Sequence, residues 1–139
     1  MATTIRPEIS ENNEYWINKH RYYELKHFCL QYPIWKKAYD NLTGLSERPN
    51  ELNAFFKSNK HSDPTVKCAE MRMFYSERME MIEQSAINAD SDLASYILKG
   101  VTEGCSYDYL KTNLNIPCCK DTYYNRYRKF FYHLSNSRK

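Results

Sequence analysis

The side chains best suited to chemistry in this chain are cationic, amide and hydroxyl groups crowded near its C-terminus: Lys111, Lys120, Thr122, Tyr123, Asn125, Arg126, Arg128 and Lys129. Arg can bridge the two acceptors of a guanine edge and Asn can do the same at adenine, while Lys and Arg elsewhere pair with phosphates. At about 100° per residue, Thr122, Arg126 and Lys129 share one helical face with Asn125 beside them, and Lys120 and Tyr123 sit near the helix start. The pattern assigns Lys120, Thr122, Tyr123, Asn125 and Arg126 to base edges, and Lys111, Arg128, Lys129, Arg138 and Lys139 to phosphates. The competing reading is an amphipathic packing helix with a solvated basic face, since positive charge near a helix C-terminus is favourable without any partner.

Other constellations fall short of a site. Glu24-x-x-His27, with His20 one turn earlier, has the spacing of carboxylate-bridged di-iron bundles, but those need a second such pair on a facing helix and the chain holds none. Cys118, Cys119 and His133 lack zinc spacing, and on one helix Cys119 and His133 would stand roughly 21 Å apart at 1.5 Å per residue. No nucleophile with its base and no carboxylate pair can be assembled, so the chain reads as a non-enzyme without a cofactor. The Met71, Met73, Met79 and Met81 run reads as core or interface packing.

The charge supports the first assignment. The chain has 139 residues and a net charge of +3, but residues 1–110 carry 13 Lys/Arg against 16 Asp/Glu, whereas residues 111–139 carry seven against the single Asp121. A segment of +6 beside a remainder of −3 points to a polyanionic partner. Five cysteines without CxxC spacing, an N-terminus lacking an apolar signal segment and the absence of any long apolar run point to an intracellular, reduced protein with no membrane association.

The elements that must position these residues read as helices. Only 3 Gly and 5 Pro occur, too few for a turn-rich β fold, while 13 Tyr and 6 Phe supply apolar surface. Tyr15, Tyr22, Leu25, Cys29 and Tyr32 predict a helix over about 10–32, and Pro33 opens a second to about Leu42, stopped by Gly44. Residues 43–63 read as a linker with one short helix around Leu52, Phe55 and Phe56; Asp63-Pro64 then starts a long helix to about Ala89, striped by Met71, Tyr75, Met79, Ile82, Ala86 and Ala89. Three helices follow at about 92–102, 106–113 and 119–135, with Gly100 and Gly104 as stop signals.

The last two of these have the parts of a helix-turn-helix. Leu110 and Leu114 are apolar positions of the first helix, Asn115 tolerates a left-handed turn, Ile116 plugs the core, and Tyr124, Tyr127, Phe131 and Leu134 form an inward stripe on the second. The expected fold is all-α: an N-terminal helical region (1–62), a long central helix (63–90) suited to dimerisation, and a DNA-binding helix-turn-helix region (91–139).

The segment LNIPCCKDTYYNRYRKFFYHL resembles the end of small phage-encoded transcription regulators of the ArpU/RinA type, through Leu114, Asn115, Ile116, Pro117, Thr122, Tyr124, Arg128 and Lys129. It departs from them in having Asn115 where Gly is usual and in the inserted Cys118-Cys119-Lys120. The resemblance covers some 45 C-terminal residues and implies a helix-turn-helix akin to region 4 of sigma factors, acting on phage or prophage genes in the bacterial cytoplasm. The partners expected are double-stranded DNA, a second copy of the chain as a homodimer, and host RNA polymerase. Two alternatives stand beside this: a small terminase subunit for DNA packaging, and a helical interaction or inhibitor module using Tyr15, Trp16, Tyr22, Tyr23 and Trp35.

Overall fold

A computed structural model describes residues 13–47 and 64–138, without the side chains of residues 43–47, 64 and 65. The described residues form six helices and no strand: α1 (Lys19–Leu30), α2 (Tyr32–Glu47), α3 (Pro64–Ala89), α4 (Ala94–Glu103), α5 (Tyr107–Leu114) and α6 (Lys120–Ser137). The all-α class expected from composition is what the chain adopts.

The helix ends follow local chemistry. Asn18 caps α1, its side chain accepting the His20 N–H at 2.8 Å. The helix therefore begins at Lys19, and residues 13–18, expected within it, are not helical. Asn13 holds a separate turn, accepting the Tyr15 N–H on its side chain at 2.8 Å and the Trp16 N–H on its carbonyl at 3.0 Å. Tyr15, which fits the helical period in sequence, lies in that turn, and its ring packs near Tyr132, 5.6 Å between centroids. Pro33 lies in the first turn of α2, where no N–H is required. The backbone of α2 runs on through Gly44 to Glu47, so Gly44 is no stop and residues 43–47 are helix rather than linker; an interior Gly costs only about 1 kcal/mol relative to Ala. The short helix expected around Leu52–Phe56, the capping Asp63, residues 1–12 and Lys139 lie outside the described residues.

The chain divides into two compact units, of which the first comprises residues up to Tyr32 together with Glu80–Lys139. Its core is built from Tyr22, Leu25 and Cys29 of α1, Ile82 and Ala86 of α3, Ile97 of α4, Leu110 and Ile116 around α5, and Phe130, Phe131 and Leu134 of α6, all at most 1% exposed. α1 packs on α4 and α6, and α4 also touches α5. Rings fill the seam between α1 and α6: Tyr22 stands edge-on to Phe131 at 5.1 Å, and its hydroxyl is 2.9 Å from that of Tyr127. Pairing the two hydroxyls satisfies polar atoms that would otherwise be costly to bury.

The second unit, Pro33–Met79, includes most of α2 and the first part of α3. The stripe expected along α3 is buried only at its C-terminal end: Ile82, Ala86 and Ala89 are in the core of the first unit, whereas Met71 is 42% exposed. Met73, Phe74 and Val66 are also exposed, and Arg78 lies over the Phe74 ring at 3.6 Å.

Candidate nucleic-acid interface

Ser106 starts α5, its hydroxyl accepting the Tyr109 N–H at 3.2 Å, and Asp108 adds favourable charge in the first turn. The helix ends at Asn115, which adopts the left-handed conformation (φ 53°, ψ 50°) expected of it. The Asn115 and Ile116 N–H groups both return to the Leu110 carbonyl, the second at 3.2 Å, closing the end of the helix, and the Ile116 side chain is fully buried. Leu114, expected in the core with Leu110, is 38% exposed; the reversal at Asn115 carries Ile116 into the interior instead. The Tyr107 hydroxyl donates to the Cys118 carbonyl at 2.6 Å, fixing the far side of the turn.

Cys119 is the extended residue before α6, its Sγ 3.2 Å from the Thr122 hydroxyl. Hydrogen bonding from Thr122 holds this exposed thiol below its ordinary range. The buried side of α6 comprises Tyr123, Tyr124, Phe130, Phe131 and Leu134, which leaves Asn125, Arg126, Arg128 and Lys129 part-exposed on the remaining circumference. At about 100° per residue Arg126 and Arg128 lie roughly 160° apart, on opposite flanks of that strip.

The assigned residues therefore separate. Lys111 and Lys120 are exposed on α5 and at the start of α6, and Thr122, Asn125, Arg126, Arg128 and Lys129 are half-buried. Tyr123 is corrected: it is 1% exposed, pointing inward against Gly100 of α4, and cannot meet a base edge. It lies on the same 3.6-residue stripe as Phe130 and Leu134, a phase that the sequence carried and that its place near the helix start concealed. Its hydroxyl has no hydrogen-bond partner among the described residues, and burial pushes its pKa well above the tyrosine range.

Two cations expected to be free are engaged. The Arg126 Nε donates to Asp90 Oδ2 at 3.0 Å, and its Nη1 donates to Asn125 Oδ1 at 2.7 Å. Arg138 stacks over the Phe28 ring at 4.2 Å, and its carbonyl, with that of Ser135, accepts from the Arg21 guanidinium. Lys129 Nζ stands 6.0 Å from the Tyr15 ring centroid. Asp90 joins this face from 36 residues away in sequence, a separation over which no local pattern signals the partnership.

The Glu24 carboxylate of the ExxH spacing is paired with Arg21 at 2.8 Å, which holds it below the usual carboxylate range. Among the described residues no group of three His, Cys, Asp or Glu side chains is placed to hold a metal ion, and no helix is long and apolar enough to cross a membrane. Comparison of the chain with protein family models, curated proteins and solved structures finds no match.

Proposed function

We propose that this chain binds double-stranded DNA sequence-specifically, with α5, the Asn115 turn and α6 acting as a helix-turn-helix and α6 entering the major groove. The observation that carries the reading is the division of α6. One side is a buried aromatic wall, and the other presents Asn125, Arg126 and Lys129, with Lys120 exposed at the helix start and Lys111 exposed on α5. A helix that places amide and guanidinium groups together on its open side carries the donors and acceptors that base edges match. Arg128, on the opposite flank, would reach a phosphate.

The regulator of phage or prophage genes implied by the sequence resemblance is the role we assign, with host RNA polymerase as the downstream partner. A second copy of the chain is the further partner, and the exposed Met71, Met73 and Phe74 of α3 favour it, because such apolar side chains gain by burial. Of the aromatics that the alternative interaction module would use, Tyr22 and Trp35 are buried, whereas Tyr15, Trp16 and Tyr23 are part-exposed.

Selection of bound duplexes from fragmented host and phage DNA tests the proposal. Recovery of a common site by the wild-type protein is expected, with binding reduced in Lys120→Glu and in Lys111→Glu. The affinity should fall with salt, log K against log salt having a slope of about −0.9 for each phosphate neutralised. Salt-independent binding, or no enriched duplex, overturns the reading. A ring of subunits in solution, in place of a dimer, would favour the packaging role over the regulatory one.

A further inference from the structure

Asp90 stands at the junction of α3 and α4 and uses both carboxylate oxygens. Oδ1 accepts the backbone N–H groups of Asp92 at 2.9 Å and Leu93 at 3.2 Å, closing the turn that begins α4. Oδ2 accepts from Arg126 Nε at 3.0 Å, across to α6. The Asp90 N–H is itself held by the Ala86 carbonyl at 3.1 Å, on the last turn of α3. The carboxylate is thus fixed by backbone on one side and presents a rigid acceptor to the guanidinium on the other.

Arg126 is correspondingly constrained. Nε is taken by Asp90 and one Nη1 hydrogen by Asn125, while Nη2 and the second Nη1 hydrogen have no partner in these bonds. Its side chain is 36% exposed, so the end of the fork is open to solvent. An unheld arginine must give up its rotamer freedom when a ligand binds; one held at Nε has lost that freedom beforehand. A guanidinium anchored by its Nε and open at its end is arranged to offer two parallel N–H donors to a pair of acceptors.

We infer that Asp90 is a positioning residue for Arg126: held from the α3–α4 turn, the arginine meets a guanine edge in the groove rather than a passing phosphate, and Asp90 so contributes to sequence discrimination without touching DNA. This rests on the DNA-binding reading above. It differs from that reading in what it demands, because Asp90 is acidic and its loss removes a charge repelled by phosphates. The variants should therefore lose discrimination and not overall affinity.

The experiment compares wild type, Asp90→Asn and Asp90→Ser on the selected duplex and on a scrambled duplex of the same composition. Ser keeps an oxygen for the Asp92 and Leu93 N–H groups, so the turn survives while the grip on Arg126 is lost. Both variants are expected to reduce the ratio of the two affinities by about tenfold, the size of one base contact, through weaker binding to the selected duplex alone. In an Arg126→Ala background, Asp90→Ser should have no further effect on the ratio. An unchanged ratio in Asp90→Ser, an equal loss on both duplexes, or a full effect persisting without Arg126 overturns the assignment of Asp90. If wild type selects no duplex at all, the DNA reading itself falls.

Discussion

Tyr123 and Gly100 form a lock whose two halves neither composition nor periodicity could pair. A Cβ on Gly100 would overlap the Tyr123 hydroxyl, yet it would stand 3.6 Å from Cζ, an ordinary contact. Gly100→Ala should therefore destabilise the fold by about 1–3 kcal/mol through overpacking. Tyr123→Phe removes both the obstacle and a buried hydroxyl without a partner, and should be neutral or stabilising. The double variant should be more stable than Gly100→Ala alone, a non-additivity that urea denaturation measures. Gly100 was expected to end a helix; it is instead a buried residue inside α4, and Gly104, in the left-handed conformation at φ 73°, is the stop. The Asp90–Arg126 pair predicts a pH dependence of its own. Partial burial raises the Asp90 pKa, but the hydrogen bonds from Arg126 and from the Leu93 and Asp92 N–H groups outweigh it, and the carboxyl is held below its ordinary range. A depressed acid contributes stability above its unfolded pKa and loses that contribution as pH falls through its folded value. The wild type should thus exceed Asp90→Asn in stability near neutrality, by about 1 kcal/mol at most for a part-exposed pair. The gap should close on acidification, read from thermal melts across the acid range.

Along the helices, legibility depended on whether the signal was local. The turn after α5 was visible because Asn is among the few residues that adopt positive φ readily, and the chain does so at Asn115. Asn115→Gly should cost little, whereas Asn115→Val should cost roughly 1–2 kcal/mol by forcing a β-branched side chain into that region. Chemical denaturation of the two variants checks the difference. The start of α1 was less legible. Its apolar period continued upstream through Tyr15, and only the capping bonds of Asn18 and Asn13 show where helix gives way to turn. The long α3 agrees with the sequence reading at both ends, since Pro64 marks its start and loss of the period marks its end. Which part of its stripe is buried was not legible, because burial belongs to the partner elements and not to the helix.

The N-terminal helix and the C-terminal helices share one core. Tyr22, Leu25 and Cys29 of α1 are fully buried, α1 packs on α4 and α6, and Arg21 binds the last carbonyls of α6. A fragment of residues 91–138, although it holds α4 to α6, should therefore fail to fold cooperatively, leaving the aromatic wall of α6 uncovered. Broad, poorly dispersed amide resonances for the fragment, against sharp ones for the full chain, are the expected result. Leu25→Ala in the full chain should cost about 2–5 kcal/mol by the same argument, although it lies 95 residues from Lys120 in sequence.

Backbone propensity and side-chain period act within a few residues, and they determined what depends on them: an all-α chain, the extent of α3, the left-handed Asn115, the buried Ile116 and a basic segment confined to the last 29 residues. Packing depends on contacts between residues far apart in the chain, and a single sequence carries no record of them. Folding therefore turned Tyr123 inward against Gly100, brought Asp90 onto Arg126, and joined α1 to the wall of α6. The basic face retains its position on α6, but the charge free to meet a partner is smaller than the sequence sum, because Arg126 and Arg138 are already engaged within the fold.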